Sequence, residues 1–195
     1  MGANVYPVFL RLEGRRVLVV GGGTVAAGKL PALLDAGAQV TVVAPRIADT
    51  LRRPGVTLVE RVFRPDDVDG AFWVIAAATP EVNREVARVL EGQSRFVNAV
   101  DDPASASAYT GGVVHRAGLT IGISTGGDAP ALAGLIREAL EAVLPHDLDA
   151  WLELARQAKR QWRERAVPMA RRRPLLLQAL NDLYRERDAP ARGVS

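Results

Sequence analysis

The chain has 195 residues, of which 48% are apolar and 24% charged, a balance typical of a globular protein with one substantial core and a small appendage. It has no cysteine and two histidines, which excludes a disulfide scaffold, a thiolate metal site and an all-histidine metal cage, so no resident metal is expected. No stretch approaches the roughly 20 apolar residues that a membrane span requires, so we expect a cytoplasmic protein without a membrane partner.

The formal net charge of +3 comes from the C-terminal part, because residues 151–195 carry 11 Lys and Arg against 5 Asp and Glu. Such a charge usually marks the solvated face of helices, although it also attracts acidic small molecules. No helix-turn-helix or aromatic RNA-binding signature accompanies the basic residues. We therefore expect no nucleic-acid partner.

A βαβ unit opens the chain. The β-branched run Arg16–Val20 predicts a strand that enters a glycine turn, and the following residues predict a helix from Thr24 to Ala36 that ends at Gly37. A second strand is predicted at Gln39–Val43. This order over about thirty residues is typical of parallel strands joined by a right-handed crossover.

Further strands are predicted at residues 56–60, 71–77 and 95–100, with a helix at Pro80–Leu90 before the last of them. The alternation of strands and helices predicts an α/β fold, a Rossmann doubly wound parallel sheet. We expect this dinucleotide-binding domain to cover residues 1–108.

The remaining residues predict a hairpin followed by helices. Strands at 109–115 and 119–124 are joined by a turn, and after a loop an apolar stripe at helical spacing runs from Leu132 to Val143. Because such a stripe is usually core or a subunit interface, residues 109–145 are expected to form a dimerisation region. Helices at 147–163 and 174–184, with a bend near Pro168 and the arginines at 171–173, predict a small helical domain over 146–195.

The glycine turn carries the first chemical signal. Gly21-Gly22-Gly23-Thr24-Val25-Ala26 fits G-x-G-x-x-A between a strand and a helix. Gly21 permits the tight turn, Gly23 lets the backbone approach a pyrophosphate, and Ala26 lets the helix pack closely on the strand. The helix N-terminus then offers free N–H groups to the phosphates, although a glycine turn without a nucleotide is the alternative.

The acidic residue that usually binds the adenosine ribose about twenty positions further on is missing. The second strand runs instead into Ala44-Pro45-Arg46. Arg46 is suited to the 2′-phosphate of NADP, whereas backbone contacts from Ala44 to Arg46 are suited to the ribose of NAD, so the turn alone leaves both cofactors open.

Two carboxylates follow the last predicted parallel strand. Asp101 and Asp102 lie at the carboxyl edge of the sheet, where ligands bind in open α/β folds. A carboxylate there is suited to remove a proton while a hydride leaves for a nicotinamide. The alternative is an ordinary turn at Asp102-Pro103 with Asp101 as a cap.

A series of motifs follows in order along nearly the whole chain: Tyr6-Pro7-Val8-Phe9-Leu10, Gly21-Gly22-Gly23 through Ala26 with Lys29, Ala76-Ala77-Ala78-Thr79 with Asn83, Asn98-Ala99-Val100-Asp101-Asp102-Pro103, and Ile123-Ser124-Thr125-Gly126-Gly127 through Leu132. In this order they resemble the siroheme synthase N-terminal family, the precorrin-2 dehydrogenases with or without sirohydrochlorin ferrochelatase activity. The set is far more specific than a glycine turn alone.

The resemblance implies a homodimer whose cleft holds the acidic tetrapyrrole precorrin-2, with NAD as cofactor. It implies NAD-dependent oxidation of precorrin-2 to sirohydrochlorin, with Asp101 as the catalytic residue. The expected cofactor-binding residues are Gly21, Gly22, Gly23, Thr24, Val25, Ala26, Pro45, Arg46, Ala78 and Thr79, and the expected substrate-binding residues are Asn98, Ser124, Thr125, Gly126 and Gly127.

Two further interpretations stay open at this point. The resemblance covers enzymes that insert Fe2+ or Co2+ and enzymes that do not, so the sequence does not decide whether metal insertion occurs. A Rossmann module that senses a nucleotide and regulates a partner is an alternative of another class, because a fold alone does not fix a function. A sensor needs neither a carboxylate at the sheet edge nor a second substrate loop.

Overall fold

A computed structural model describes residues 5–100, 102 and 105–188. In that part of the chain a parallel sheet has the strand order β3-β2-β1-β4-β5, and a separate antiparallel hairpin pairs β6 with β7. The strands are β1 (Arg16–Val20), β2 (Gln39–Val43), β3 (Val56–Val59), β4 (Trp73–Ala76), β5 (Phe96–Ala99), β6 (Gly112–Arg116) and β7 (Leu119–Ile123). The helices are α1 (Thr24–Asp35), α2 (Pro80–Leu90), α3 (Pro130–Val143), α4 (Leu148–Glu164) and α5 (Met169–Asp188).

Helices cover both faces of the parallel sheet, which confirms the predicted α/β doubly wound class. Alternate residues of β1 point to opposite faces, as the period of a strand requires. Val17 and Val19 pack in the same cluster as Leu30 of α1. Leu18 belongs to the other cluster, with Val86 of α2. Since Val17–Val20 of β1 are buried, with side chains on both faces of the sheet, this part of the strand is continuously apolar rather than alternating.

The outer edge of β5 is covered by the residues that follow it. The Val97 carbonyl accepts hydrogen bonds from the amides of Ser107 and Ala108, both at 2.9 Å, and the Val97 amide donates to Ser107 Oγ at 2.9 Å. Asn98 Nδ2 donates to the Ala108 carbonyl at 3.0 Å. We call residues 105–108 the edge segment, since they occupy hydrogen-bonding positions that an edge strand otherwise leaves open.

The chain divides into two compact units. The first holds the residues up to Gly111 together with Ser124–Ala131, and therefore contains the parallel sheet and the loop before α3. The second holds Gly112–Ile123 and the residues from Leu132 onward, that is, the hairpin and most of the last three helices.

Within the second unit, side chains join elements that are distant in sequence. Arg116 at the end of β6 donates to the carbonyls of Glu141 and Leu144 at 3.4 and 3.2 Å, and so satisfies the C-terminal end of α3. Trp151 Nε1 donates to the Tyr184 hydroxyl at 2.7 Å, and that hydroxyl donates to Asp147 at 3.1 Å. This chain of bonds ties the start of α4 to the end of α5.

Several element bounds differ from those predicted. The strand predicted at 71–77 is shorter and covers Trp73–Ala76, and the first hairpin strand begins at Gly112 rather than at residue 109. The last helix was predicted to begin at residue 174 after a bend through the arginines 171–173, which is wrong. It begins at Met169 and continues through Pro174, so the arginines lie in its first turns. None of the helices among the described residues is long and apolar enough to cross a membrane.

Candidate functional site

Three loops meet at the carboxyl ends of β1, β2 and β4. Gly21 lies in the loop after β1 and contacts the ends of the other two strands. Gly21 donates from its amide to the Val43 carbonyl of β2 at 2.9 Å and has a φ of 130°. A Cβ on Gly21 would lie 2.1 Å from the Ala77 carbonyl oxygen after β4. Gly21 is therefore required both by its left-handed backbone and by the close approach of a neighbouring loop.

Gly22 faces the loop after β2 in a similar way. A Cβ on Gly22 would lie 1.9 Å from the Arg46 carbonyl oxygen, and the Gly22 carbonyl accepts from the Ala48 amide at 2.9 Å. Pro45 and Arg46 are exposed beside this contact. The predicted cofactor-binding residues of the first two loops are thus brought together.

Gly23 differs from its two neighbours, because a Cβ built on it meets no atom within 4 Å. It is the N-cap of α1, where it makes no side-chain cap, and the first turn of the helix has no acidic residue. Thr24 and Val25 are exposed, whereas Ala26 is buried against the sheet. An open backbone surface with unpaired N–H groups and a positive helix end suits a pyrophosphate, so these residues fit a dinucleotide.

Ala78 and Thr79 form the third loop, between β4 and α2, and both are exposed. The Ala78 amide donates to Asn83 Oδ1 at 2.9 Å. The Glu81 carboxylate accepts from its own amide and from the Thr79 hydroxyl, and these bonds hold the pKa of that carboxyl below its usual value. Thr79 is the N-cap of α2 and makes no side-chain capping bond.

The residues predicted to bind substrate lie in two places within the first unit. Asn98 is on β5 and is 5% exposed, and its Oδ1 has no hydrogen-bond partner among the described residues. The loop from Ser124 to Gly127 holds its own shape: Ser124 Oγ accepts from the Gly126 amide at 3.1 Å. Thr125 Oγ1 accepts from the Ala129 amide at 3.2 Å, next to the start of α3. Substrate contact by either group stays a prediction.

The predicted catalytic residue Asp101 lies outside the described residues. Its neighbours are held in place on the N-terminal side, where the Val100 amide donates to the Ala76 carbonyl at 2.9 Å. Asp102 Oδ1 accepts from the Ser105 amide at 3.2 Å. Asp102 thus bonds to the start of the edge segment, and the catalytic role of Asp101 stays a prediction.

Two contacts near the site were not predicted from the sequence. Asn83 joins Ala78 to Val100, and Lys29 Nζ donates to Thr110 Oγ1 at 2.8 Å, which ties α1 to the segment that precedes the hairpin. A signal for the first was present, because Asn83 lies on the apolar stripe of α2 with Val86 and Leu90. A polar residue on such a stripe indicates a buried hydrogen bond. The second depends on a long-range contact without a local pattern.

The described residues contain no group of three or more His, Cys, Asp or Glu side chains arranged to hold a metal ion. A metal ion that enters as a substrate for insertion into a tetrapyrrole is a separate matter, because its ligands include the ring nitrogens.

Fold and site together define a dinucleotide-binding α/β protein. Residues 8–112 match the family described as putative NAD(P)-binding, and residues 116–142 match the family described as sirohaem biosynthesis protein central. Through these matches and its relatives, the chain belongs to the siroheme synthase N-terminal family, which confirms the resemblance found in the sequence. The family supports a nicotinamide dinucleotide as the cofactor.

The relatives include longer proteins and one solved structure of similar length. The chain is 38% identical over 183 residues to the siroheme synthase of Photorhabdus laumondii subsp. laumondii and 41% identical over 157 residues to that of Neisseria meningitidis serogroup C. The two matches include 91% and 78% of this chain but only 39% and 33% of the length of the respective relatives. A solved structure named SirC, precorrin-2 dehydrogenase, superposes with a TM-score of 0.75 at 26% identity, covering 93% of this chain and 92% of the other.

Proposed function

We propose that the chain is an oxidoreductase that uses NAD to oxidise precorrin-2 to sirohydrochlorin. The observation that carries this proposal is the glycine turn with its open face at Gly23, in a chain that matches a precorrin-2 dehydrogenase structure along nearly its whole length. The conversion removes a hydride and a proton, that is, two electrons, from the tetrapyrrole. Bound NAD supplies the hydride acceptor.

The protein's own residues bind the cofactor, orient the substrate and receive the proton that the substrate loses. Backbone N–H groups at the start of α1 would hold the pyrophosphate, and the loops at Pro45-Arg46 and Ala78-Thr79 would contact the rest of the dinucleotide. Asp101, which follows β5 at the carboxyl edge, is the general base that receives the proton. Ser124 to Gly127 contribute to substrate binding from the loop before α3.

The proposal names NAD rather than NADP. The family resemblance implies NAD, and the loop after β2 places its backbone against the glycine turn, where the Arg46 carbonyl oxygen lies over Gly22. Backbone contacts recognise the ribose without requiring a 2′-phosphate. Titration of the protein with each dinucleotide tests this point, and tighter binding of NADP would contradict it.

The proposal also includes the acidic substrate, a homodimer and a cytoplasmic location. Precorrin-2 bears many carboxylates, which suits a chain whose C-terminal residues are basic. The homodimer is proposed from α3, where apolar side chains are exposed in the single chain: Leu132, Leu135, Ile136 and Val143.

The decisive experiment mixes purified protein, NAD and precorrin-2 without oxygen and follows the absorbance of sirohydrochlorin and of NADH. We expect the two products to appear in equal amounts. Tight NAD binding without oxidation would instead favour the nucleotide-sensing alternative. Metal insertion is measured separately, by adding Fe2+ or Co2+ to ready-made sirohydrochlorin, so that the two activities do not depend on each other.

A further inference from the structure

Asn83 is a polar side chain in an apolar position. It is 4% exposed and lies one turn before Val86, which is completely buried, on the face of α2 that packs against the sheet. A buried amide that lacks hydrogen bonds is costly, so its two polar atoms should have partners. The partners are backbone groups at the carboxyl edge of the sheet.

The two bonds join the ends of neighbouring strands. Asn83 Oδ1 accepts from the Ala78 amide at 2.9 Å, two residues beyond β4. Asn83 Nδ2 donates to the Val100 carbonyl at 3.4 Å, one residue beyond β5 and directly before Asp101 in the chain. Since the Val100 amide already donates to the Ala76 carbonyl, the side chain of Asn83 extends the pairing of β4 and β5 past their last ladder bond.

The same contact reaches the glycine turn. The Ala77 amide donates to the Val20 carbonyl at 2.8 Å, and a Cβ on Gly21 would meet the Ala77 carbonyl oxygen at 2.1 Å and the Ala78 nitrogen at 3.0 Å. The loop that Asn83 holds therefore lies directly against the turn that faces the cofactor. A shift of Ala78 would change that surface.

We propose that Asn83 is a positioning residue that fixes the Ala77-Ala78 loop against the glycine turn through one bond and fixes the end of β5 through the other. The inference rests on the proposed function. We call the bond that Asn83 Oδ1 accepts from Ala78 the acceptor arm, and the bond that Asn83 Nδ2 donates to Val100 the donor arm. The acceptor arm sets the affinity for NAD. The donor arm sets the rate of the chemical step, because Val100 directly precedes Asp101 and a displacement of about 1 Å at a reacting group costs up to roughly a hundredfold in rate.

The first test compares Asn83→Ala with Val86→Ala, a buried neighbour on the same helix face that makes no bond to either loop. Both variants should lose thermal stability. Asn83→Ala should weaken NAD binding about tenfold, since the Ala78 amide loses the partner that holds its loop in place, and hydrogen exchange of that amide in the cofactor-free protein should become faster. Val86→Ala should leave the NAD affinity and the Ala78 exchange rate near those of the wild type.

The second test separates the two arms with Asn83→Asp. The new carboxylate still accepts from the Ala78 amide but cannot donate to the Val100 carbonyl, so NAD affinity should stay within a few-fold of the wild type while kcat falls about 10- to 100-fold. Burial raises the pKa of such a carboxyl, and its protonated form can donate. The ratio of variant to wild-type kcat should therefore recover as the pH falls.

Equal NAD affinity and Ala78 exchange in Asn83→Ala and Val86→Ala, at similar losses of thermal stability, would overturn the inference. So would a kcat ratio for Asn83→Asp that does not change with pH. Failure of the proposed function is recognised separately, because wild-type protein would then bind NAD without oxidising precorrin-2. The NAD titration and the exchange measurement need no tetrapyrrole and still decide the role of the acceptor arm.

Discussion

Gly22 and Gly23 are adjacent but have opposite surroundings. Gly23→Asp should abolish measurable NAD binding, because its side chain enters open space and places a negative charge where the pyrophosphate is expected. The fold should be kept, since nothing lies within 4 Å of the new Cβ. Gly22→Ala is the matched comparison, because its Cβ would collide with the Arg46 carbonyl and should lower the melting temperature. Calorimetric titration and thermal melting check both results, and unchanged affinity in Gly23→Asp would refute the site.

Asp101 is predicted to act in chemistry rather than in folding. Asp101→Asn keeps the shape of the side chain but removes its basicity, so turnover should slow by roughly 10²–10⁴-fold while NAD binding and thermal stability stay near wild type. Asp102→Asn keeps the oxygen that accepts from the Ser105 amide and should be milder. Rates of precorrin-2 oxidation by the two variants check this, and near-normal oxidation by Asp101→Asn would rule out the general base.

At the scale of elements, an ion pair orders the connection between β3 and β4. Arg61 donates to both carboxylate oxygens of Asp67, at 2.8 and 2.5 Å, and the Arg64 amide donates to Asp67 at 2.8 Å. The Asp67 side chain is 10% exposed. The hydrogen bonds from Arg61, followed by that from the Arg64 amide, hold the pKa of Asp67 below its ordinary value.

Asp67→Asn should therefore lower the free energy of unfolding by about 1–2 kcal/mol near neutral pH, a value reduced by the partial exposure of Arg61. A carboxyl whose folded pKa is lowered contributes its full stability above its unfolded pKa of about 3.9 and loses it as the pH falls toward the folded pKa. The difference in free energy of unfolding between the wild type and Asp67→Asn should therefore become smaller as the pH falls. Denaturant melts over a pH series check this, with the exposed neighbour variant Asp66→Asn as the control. A difference that stays constant into acid would contradict it.

The elements nearest the glycine turn were predicted from local pattern alone. The bounds of β1, β2 and α2 agree with prediction, because continuous apolar runs, a helical stripe and glycine at the turns carry that information locally. The strand expected at residue 109 starts later, at Gly112, because Thr110 is instead bound by Lys29 in the first unit. The two-sided bond of Asn83 also joins residues far apart in sequence, which no local periodicity describes.

At the scale of the whole molecule, α3 is predicted to associate with a second copy of the chain. Leu135 is 64% exposed and Val143 is 74% exposed in the single chain, and their stripe has the spacing of one helical face. Leu135→Glu should convert a dimer to a monomer by placing a charge in an apolar interface. Gly134→Glu is the matched control, since it adds the same charge one position away, where a new Cβ meets nothing within 4 Å. Light scattering at micromolar concentration checks both, and a monomeric wild type would contradict the prediction.

The edge segment has a consequence for behaviour in concentrated solution. Its bonds to the Val97 amide and carbonyl occupy backbone groups with which a strand of another molecule would otherwise pair. If the segment detaches before the core melts, β5 becomes a template for intermolecular sheet growth while the protein still has native-like spectra. Long-term storage would then be limited by aggregation from this edge, and Ser107→Pro, which removes an amide that donates to the Val97 carbonyl, should aggregate sooner with little change in melting temperature.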